Sequence, residues 1–286
     1  MILITGATGN LGSSVVNQLL KKSTQDTFVV TSSNQEGVNK LTSKGFQARL
    51  ANFSDRESLK ESFDGIEKLL LISTMDSNRF EQHKNVIDAA KDQGVKHIVY
   101  TGLAIKDIQT SGVKDLMISH FQTEDYIKKS GLTYTILRNT MYADALNQIL
   151  GENALNQNIN LPGGNGKVPY VLRREMGEGT ANLLLQKGHE NKTYDIVGNK
   201  EYSYQDIANV LSNLSGKTIN YNDISENDFE KNLKQIGFPD FAIYLNTGTL
   251  FDIKTHQYEI ENKFLEELLE RPTAPIEEFL KELFKI

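Results

Sequence analysis

The chain has 286 residues, no cysteine, a net charge of −6 and a pI near 5.5. That length can bury a large core, and the acidic balance argues against nucleic acid or an anionic membrane as the main partner. Disulfides and thiol catalysis are excluded. A first strand starting at Met1, with no apolar run near the roughly 20 residues of a spanning helix, leads us to expect a soluble, cytoplasmic chain without a signal peptide.

Ile2-Leu3-Ile4 predicts a buried strand, and Leu11, Val15, Val16, Leu19 and Leu20 mark the apolar face of the helix that follows. Between them stands Gly6-Ala7-Thr8-Gly9-Asn10-Leu11-Gly12. Gly6 permits the tight turn, Gly9 lets backbone approach a pyrophosphate, and Gly12 lets the helix lie close to the sheet. Free N–H groups at the helix start, with the helix dipole, suit phosphate oxygens. The motif therefore predicts a bound dinucleotide. Strand-like runs follow at Phe28-Val29-Val30, Phe46 to Leu50, Ile66 to Ser73, His97 to Thr101 and Tyr134 to Leu137, with helices near 79–94 and 114–130. After Asn139 the texture changes: a loop over Leu161 to Gly166, then helices over Arg174 to Gln186, Ser203 to Ser215, Ile224 to Ile236 and Ala274 to Ile286. Tyr194 to Val197 reads as a further strand of the sheet.

Strand–helix alternation of this kind gives an α/β fold: a Rossmann-like, doubly wound parallel sheet with a smaller, mostly helical C-terminal lobe. The division expected is residues 1–140 as the NAD(P)-binding domain and 141–286 as a smaller substrate lobe. The lobe is interleaved with the sheet, because a strand near 193–197 returns to it.

Ligands of open parallel sheets bind beyond the carboxyl ends of the strands. After the second strand come Thr31, Ser32, Ser33 and Asn34, with no Asp or Glu for a ribose 2′-hydroxyl and no Arg for a 2′-phosphate. Ser32 and Ser33 are phosphate candidates or, equally, caps of the next helix, and Lys40 lies two turns on. The missing carboxylate favours NADP(H), with NAD(H) left open. Asn52 and Phe53 are placed to meet adenine, Ser73 and Thr74 the ribose and diphosphate, Thr101 and Gly102 the nicotinamide, and Asn139 and Tyr142 the acceptor.

The glycine turn, together with Tyr100-Thr101-Gly102, His120-Phe121-Gln122-Thr123-Glu124 and Leu137-Arg138-Asn139-Thr140-Met141-Tyr142, resembles the NmrA-like atypical short-chain dehydrogenases, nearest to their quinone and triphenylmethane reductases. The likeness continues through Gly188 to Tyr194 and Ser212 to Lys217, and weakens after about residue 240. It implies a Rossmann core, a small carboxyl-terminal lobe, bound NADP(H) and a substrate cleft. It also implies two departures: Ser33 stands where such reductases usually have Arg, and Asn52 where they often have Asp.

Typical short-chain dehydrogenases use Tyr-x-x-x-Lys on one helical face, the Lys lowering the Tyr pKa so that the phenol moves a proton. Here the matching helix carries Leu116 at the Tyr position and His120 at the Lys position, with Glu124 trailing. Alcohol dehydrogenation and sugar-nucleotide epimerisation or dehydration are thereby disfavoured. Hydride donation without a built-in phenol acid remains, which suits a quinone or related conjugated acceptor. His120 is assigned to ribose or nicotinamide positioning or proton relay, against the plainer reading of a buried histidine bonded to Glu124 or backbone. Tyr142 and Asn139 are candidates for the acceptor pocket. The alternative function is a non-catalytic NAD(P)-binding redox sensor. The expected partner is a small-molecule electron acceptor, with a homodimer left open. His83, His97, His189 and His256 lack metal-ligand spacing, so no metal is expected.

Overall fold

The computed structural model describes residues 1–151 and 153–285, so Ile286, the last residue of the expected final helix, lies outside them. The first half alternates strand and helix: β1 (Ile2–Ile4), α1 (Asn10–Lys22), β2 (Phe28–Ser32), α2 (Gln35–Thr42), β3 (Ala48–Leu50), α3 (Arg56–Ser62), β4 (Lys68–Leu71), α4 (Arg79–Asp92), β5 (His97–Leu103), α5 (Lys114–Ser130) and β6 (Thr133–Asn139). The second half contains α6 (Leu146–Leu150), β7 (Ile159–Leu161), β8 (Lys167–Val168), α7 (Arg173–Leu185), β9 (Lys192–Ile196), β10 (Tyr202–Ser203), α8 (Tyr204–Ser215), β11 (Tyr221–Asp223), α9 (Glu226–Gln235), α10 (Asp240–Lys254), α11 (Phe264–Leu269) and α12 (Ile276–Phe284).

Two compact units share this chain. The first comprises Met1–Leu103, Ile118–Asn139 and Arg173–Ile196. Its seven strands run in the order β3-β2-β1-β4-β5-β6-β9, all parallel. The central strands, buried on both faces, read in sequence as apolar runs such as Leu69-Leu70-Leu71, while the edge strands β3 and β9 are partly exposed. One face (Leu3, Val29, Leu69, Leu71, Ile98, Ile136) packs on Leu59 of α3, Phe63 just after it, Val86, Ile87 and Ala90 of α4, and Ile127 of α5. On the other face α1 and α7 approach so closely that a Cβ on Gly177 would lie 2.5 Å from Ser14 Cβ. From β1 the strand order proceeds outward in both directions, to β2 on one side and β4 on the other. The loops after β1 and β4 therefore part and leave a crevice at the carboxyl edge.

Three strand ends run further than the sequence pattern indicated. β2 includes Thr31 and Ser32, β5 runs past the expected Thr101 through Gly102 to Leu103, and β6 closes on Asn139. Polar residues continue these ladders because their backbone still finds partners: Thr31 and Ser32 oppose Arg49 and Leu50, and Leu103 opposes Asn139.

The second unit comprises Ala104–Met117, Thr140–Leu172 and Val197–Ile286. Thus the segment 104–117 belongs with it, and α7 with β9 belongs to the first unit. It holds two short ladders, β7 with β11 in parallel and β8 with β10 antiparallel, amid helices. α8 carries a capping box, Ser203 with Asp206, and stops at Gly216 in the left-handed region (φ 69°). In α12, Ile276, Phe279 and Leu280 are buried. α10 and the short strands carry no clear sequence signal. The apolar residues of α10 (Phe241, Ile243, Leu245, Leu250, Phe251, Ile253) circle the helix instead of forming a stripe. Inside this unit Asp252 is wholly buried and accepts from Ser111 Oγ at 2.6 Å and Gly112 N at 2.7 Å. Burial pushes its carboxyl pKa up, and those two donors act in the opposite direction.

Candidate functional site

The glycine turn is built as a cradle. Gly6 lies at φ +62°, and Gly9 N donates to Gly6 O at 2.9 Å, closing the turn. A Cβ at Gly12 would fall 2.1 Å from Gly6 O, so only glycine lets the first turn of α1 close on the strand end. Gly9 caps α1 without a side-chain bond, and the first intrahelical donor of the turn is Ser13 N, bonded to Gly9 O. The N–H groups of Asn10, Leu11 and Gly12 precede it and take no part in the helix ladder. With Thr8, Gly9 and Asn10 exposed and Leu11 and Gly12 buried, this turn fits a diphosphate by its open backbone donors.

Next to it, Thr5 fastens β1 to β4: its Oγ1 donates to Leu70 O at 3.1 Å and accepts from Ile72 N at 2.9 Å. Ser73 N donates to Thr101 Oγ1 at 3.0 Å, so these two candidates are brought together across the ends of β4 and β5. Thr74 Oγ1 donates to Gln82 at 3.2 Å, and its carbonyl accepts from Arg79 Nε.

Beyond β2 the assignments differ. Ser32 is buried, its Oγ so close to Gly37 that a Cβ there would lie 1.9 Å away, and Ser33 is exposed. The cap of α2 is Asn34, whose Oδ1 accepts from Gly37 N at 2.8 Å. Neither serine therefore caps that helix. Asn52 makes a local turn, its Oδ1 accepting from Ser54 N at 2.9 Å, which leaves its amide nitrogen for other contacts. Phe53 is half-buried, edge-on to His83 with ring centroids 6.3 Å apart.

α5 holds the clearest chemistry. His120 is 6% exposed, and its Nδ1 lies 2.8 Å from the hydroxyl of Tyr100, itself wholly buried on β5. Glu124 is not its partner. That carboxylate is buried and engaged by Arg138 through two bonds of 2.9 and 2.7 Å, with Lys128 at 3.7 Å. Burial, then Arg79, then His83 push the His120 pKa well below the usual imidazole range. Burial also raises the Tyr100 phenol, against the nearby Arg79. A protonated phenol is the stronger donor of this pair and a neutral imidazole nitrogen the stronger acceptor. On that ground we assign Tyr100 O–H as the donor to Nδ1, which puts the hydrogen on Nε2.

Around this pair lies a buried polar cluster that sequence reasoning passed over. Arg79 Nη1 donates to Ser119 Oγ at 2.8 Å. Thr123 Oγ1 donates to Ser119 O at 2.8 Å and so accepts from His83 Nδ1 at 3.1 Å. His83 is held neutral with a pKa of about 3, by burial first and Arg79 second. The available signal was spacing: Arg79 and His83 are four apart on the same core-facing stripe of α4 as Val86, Ile87 and Ala90, and Ser119 and Thr123 are four apart on α5.

Asn139 ends β6, 4% exposed, and neither atom of its carboxamide has a hydrogen-bond partner among the described residues. Tyr142 belongs to the second unit, where its backbone bridges to Val171. Among the described residues no group of three or more metal-ligating side chains could hold an ion.

A seven-stranded parallel sheet with its order reversing at β1, and a glycine cradle at that point, define a Rossmann-type protein of the short-chain reductase class. The profile of the NmrA-like family matches residues 1–280, and the chain belongs to that family. Quinone oxidoreductase 2 of Escherichia coli is 34% identical, covering 100% of this chain and 99% of its own length. The crystal structure of the NADPH-dependent quinone oxidoreductase QOR2 from Escherichia coli, complexed with NADPH, superposes with a TM-score of 0.92 at 33% identity, covering 99% of this chain and 100% of that one. Triphenylmethane reductase from Citrobacter sp. gives 0.91 at 32% identity, covering 100% and 99%.

Proposed function

We propose that this chain is an NADPH-dependent reductase that passes hydride to a quinone or a related conjugated acceptor. The observation that carries the reading is the substituted dyad: Leu116 and an imidazole, His120, stand in place of phenol and ammonium in a family whose members include a quinone and a dye reductase. In this reading the backbone donors of residues 9–12 bind the diphosphate, with Thr8 and Asn10 at its flank. Asn52 and Phe53 meet adenine, and Ser32 and Ser33 take the ribose phosphate. Ser73, Thr74 and Thr101, already bonded into a rigid strand edge, line the way to the nicotinamide.

When bound, reduced nicotinamide supplies the hydride. His120, held neutral and fixed by Tyr100, donates a hydrogen bond from Nε2 to ribose or acceptor oxygen and so orients the reacting pair. Because this imidazole resists protonation, the proton that completes the reduced product comes from solvent. A quinone tolerates that order of events, since its reduced anion is stable enough to await a proton; an alcohol dehydrogenase, whose alkoxide is not, needs the phenol. Tyr142 and Asn139 are the further candidates, Tyr142 for the acceptor.

The same reading places the chain in the cytoplasm with a small molecule as its partner; no helix among the described residues is long and apolar enough to cross a membrane. Sedimentation of the cofactor-loaded chain decides whether it works as a homodimer. The deciding assay follows NADPH oxidation at 340 nm against a panel of benzoquinones and cationic dyes. Turnover with several acceptors is expected. Tight binding that distinguishes NADPH from NADP⁺ with no turnover of any acceptor would replace the reductase by a redox sensor.

A further inference from the structure

A buried side chain left incomplete at the carboxyl edge of the sheet is Asn139; the hydroxyl of Thr140, next in the chain, is likewise without a partner among the described residues, but only the amide lacks both a donor and an acceptor. Polar residues at the ends of the other strands are bonded within the fold: Thr5 to Leu70 and Ile72, Thr31 to Ile4, Ser73 to Thr101, and Thr74 to Gln82. Asn139 is buried like Thr5 and Thr31 and more so than Ser73 and Thr74, at 4% exposure, yet both Nδ2 and Oδ1 are without partners among the described residues. The large majority of buried polar side-chain atoms in native proteins are paired, and an amide unpaired at both atoms is a costly arrangement.

We propose that Asn139 is the recognition residue for the carboxamide of the nicotinamide ring, pairing with it amide to amide; this rests on the dinucleotide reading above. The chemistry selects that group. Asn139 needs one donor and one acceptor side by side in a plane, and a carboxamide offers both. A quinone carbonyl offers acceptors alone and would leave Oδ1 bare. The position agrees: Asn139 is the last residue of β6, opposite the last residue of β5, at the edge where such sheets hold their ligands. Such a pair fixes the rotation of the ring about its bond to ribose, and therefore which face of the ring is presented.

Calorimetry on the full chain tests this. NADPH, its 3-acetylpyridine analogue, which lacks the amide N–H donors, and 2′-phospho-ADP-ribose, which lacks the ring, are titrated into the native protein and into Asn139→Ala and Asn139→Leu. The native protein should favour NADPH over the acetylpyridine analogue by about tenfold. Both variants should lose that preference and keep the affinity for 2′-phospho-ADP-ribose. Because the substitutions remove an unpaired buried amide, the ligand-free melting temperature of Asn139→Leu should stay level or rise. Equal native affinities for NADPH and the analogue overturn the proposal. So does a fall in melting temperature without a change in ligand preference, which marks a structural role. Native protein that binds 2′-phospho-ADP-ribose but shows no preference among rings sinks this inference alone; native protein that binds none of the three sinks the dinucleotide reading and the inference with it.

Discussion

His120 could be picked out by its place in the helix pattern, but not what it bonds to. Four residues separate it from both Leu116 and Glu124, and spacing alone made Glu124 the natural partner; the carboxylate instead turns to Arg138. Tyr100, twenty residues upstream, takes that place because parallel β5 lies under α5, a relation that no local pattern encodes. Tyr100→Phe keeps the ring and removes one buried bond, about 1 kcal/mol, so kcat/KM for quinone reduction should fall about fivefold with the fold intact. The histidine tautomer provides a readout that structural loss would not mimic. Nitrogen-15 NMR of the native protein should show hydrogen on Nε2 of His120, and Tyr100→Phe should yield a mixture. A native ring protonated at Nδ1 would reverse the donor assignment.

At the scale of elements, the strongest signals were those in which one residue type meets one backbone demand. Gly6, Gly9 and Gly12 frame the turn as their spacing indicated, and Ser203, Asp206 and Gly216 bound α8. The buried strands were legible as apolar runs, although their polar ends were not. Gly102 and Leu103 continue β5 past Thr101, and Asn139 continues β6, because a ladder extends wherever a neighbour supplies partners. α10 stayed invisible for the converse reason: apolar residues on every side give no amphipathic period. The turn yields a sharp expectation. Gly12→Ala places a methyl 2.1 Å from Gly6 O, which forces the start of α1 off the strand end. It should cost about 1–3 kcal/mol in chemical denaturation. NADPH affinity should fall by more than tenfold, since the displaced donors are those that face the diphosphate. An alanine variant with native affinity would remove the cradle from the account.

For the molecule as a whole, buried neutral histidines make stability fall with acidification. His83, with a folded pKa of about 3, and His120, shifted the same way, remain unprotonated where unfolded histidine, near 6.5, takes a proton. The unfolded chain therefore binds more protons below that pH. The contribution of His83 is complete at neutral pH and is lost as pH falls from about 6.5 toward about 3, at roughly 1.4 kcal/mol per pH unit, and His120 acts in the same direction. Denaturation measured between pH 7 and pH 5, above most carboxylate titration, should show this slope. His83→Gln should reduce it by about one proton, and an unchanged slope would mean that His83 titrates freely when folded. By itself the sequence determined the sheet, the glycine cradle and the absence of the phenol–ammonium dyad, because each follows from residue type, spacing and a local backbone requirement. The tertiary structure alone decided which groups meet. The Tyr100–His120 bond, the Arg79 cluster beside it and the unpaired amide of Asn139 depend on burial and on contacts between residues 20 to 40 apart or more, and no local rule carries that information.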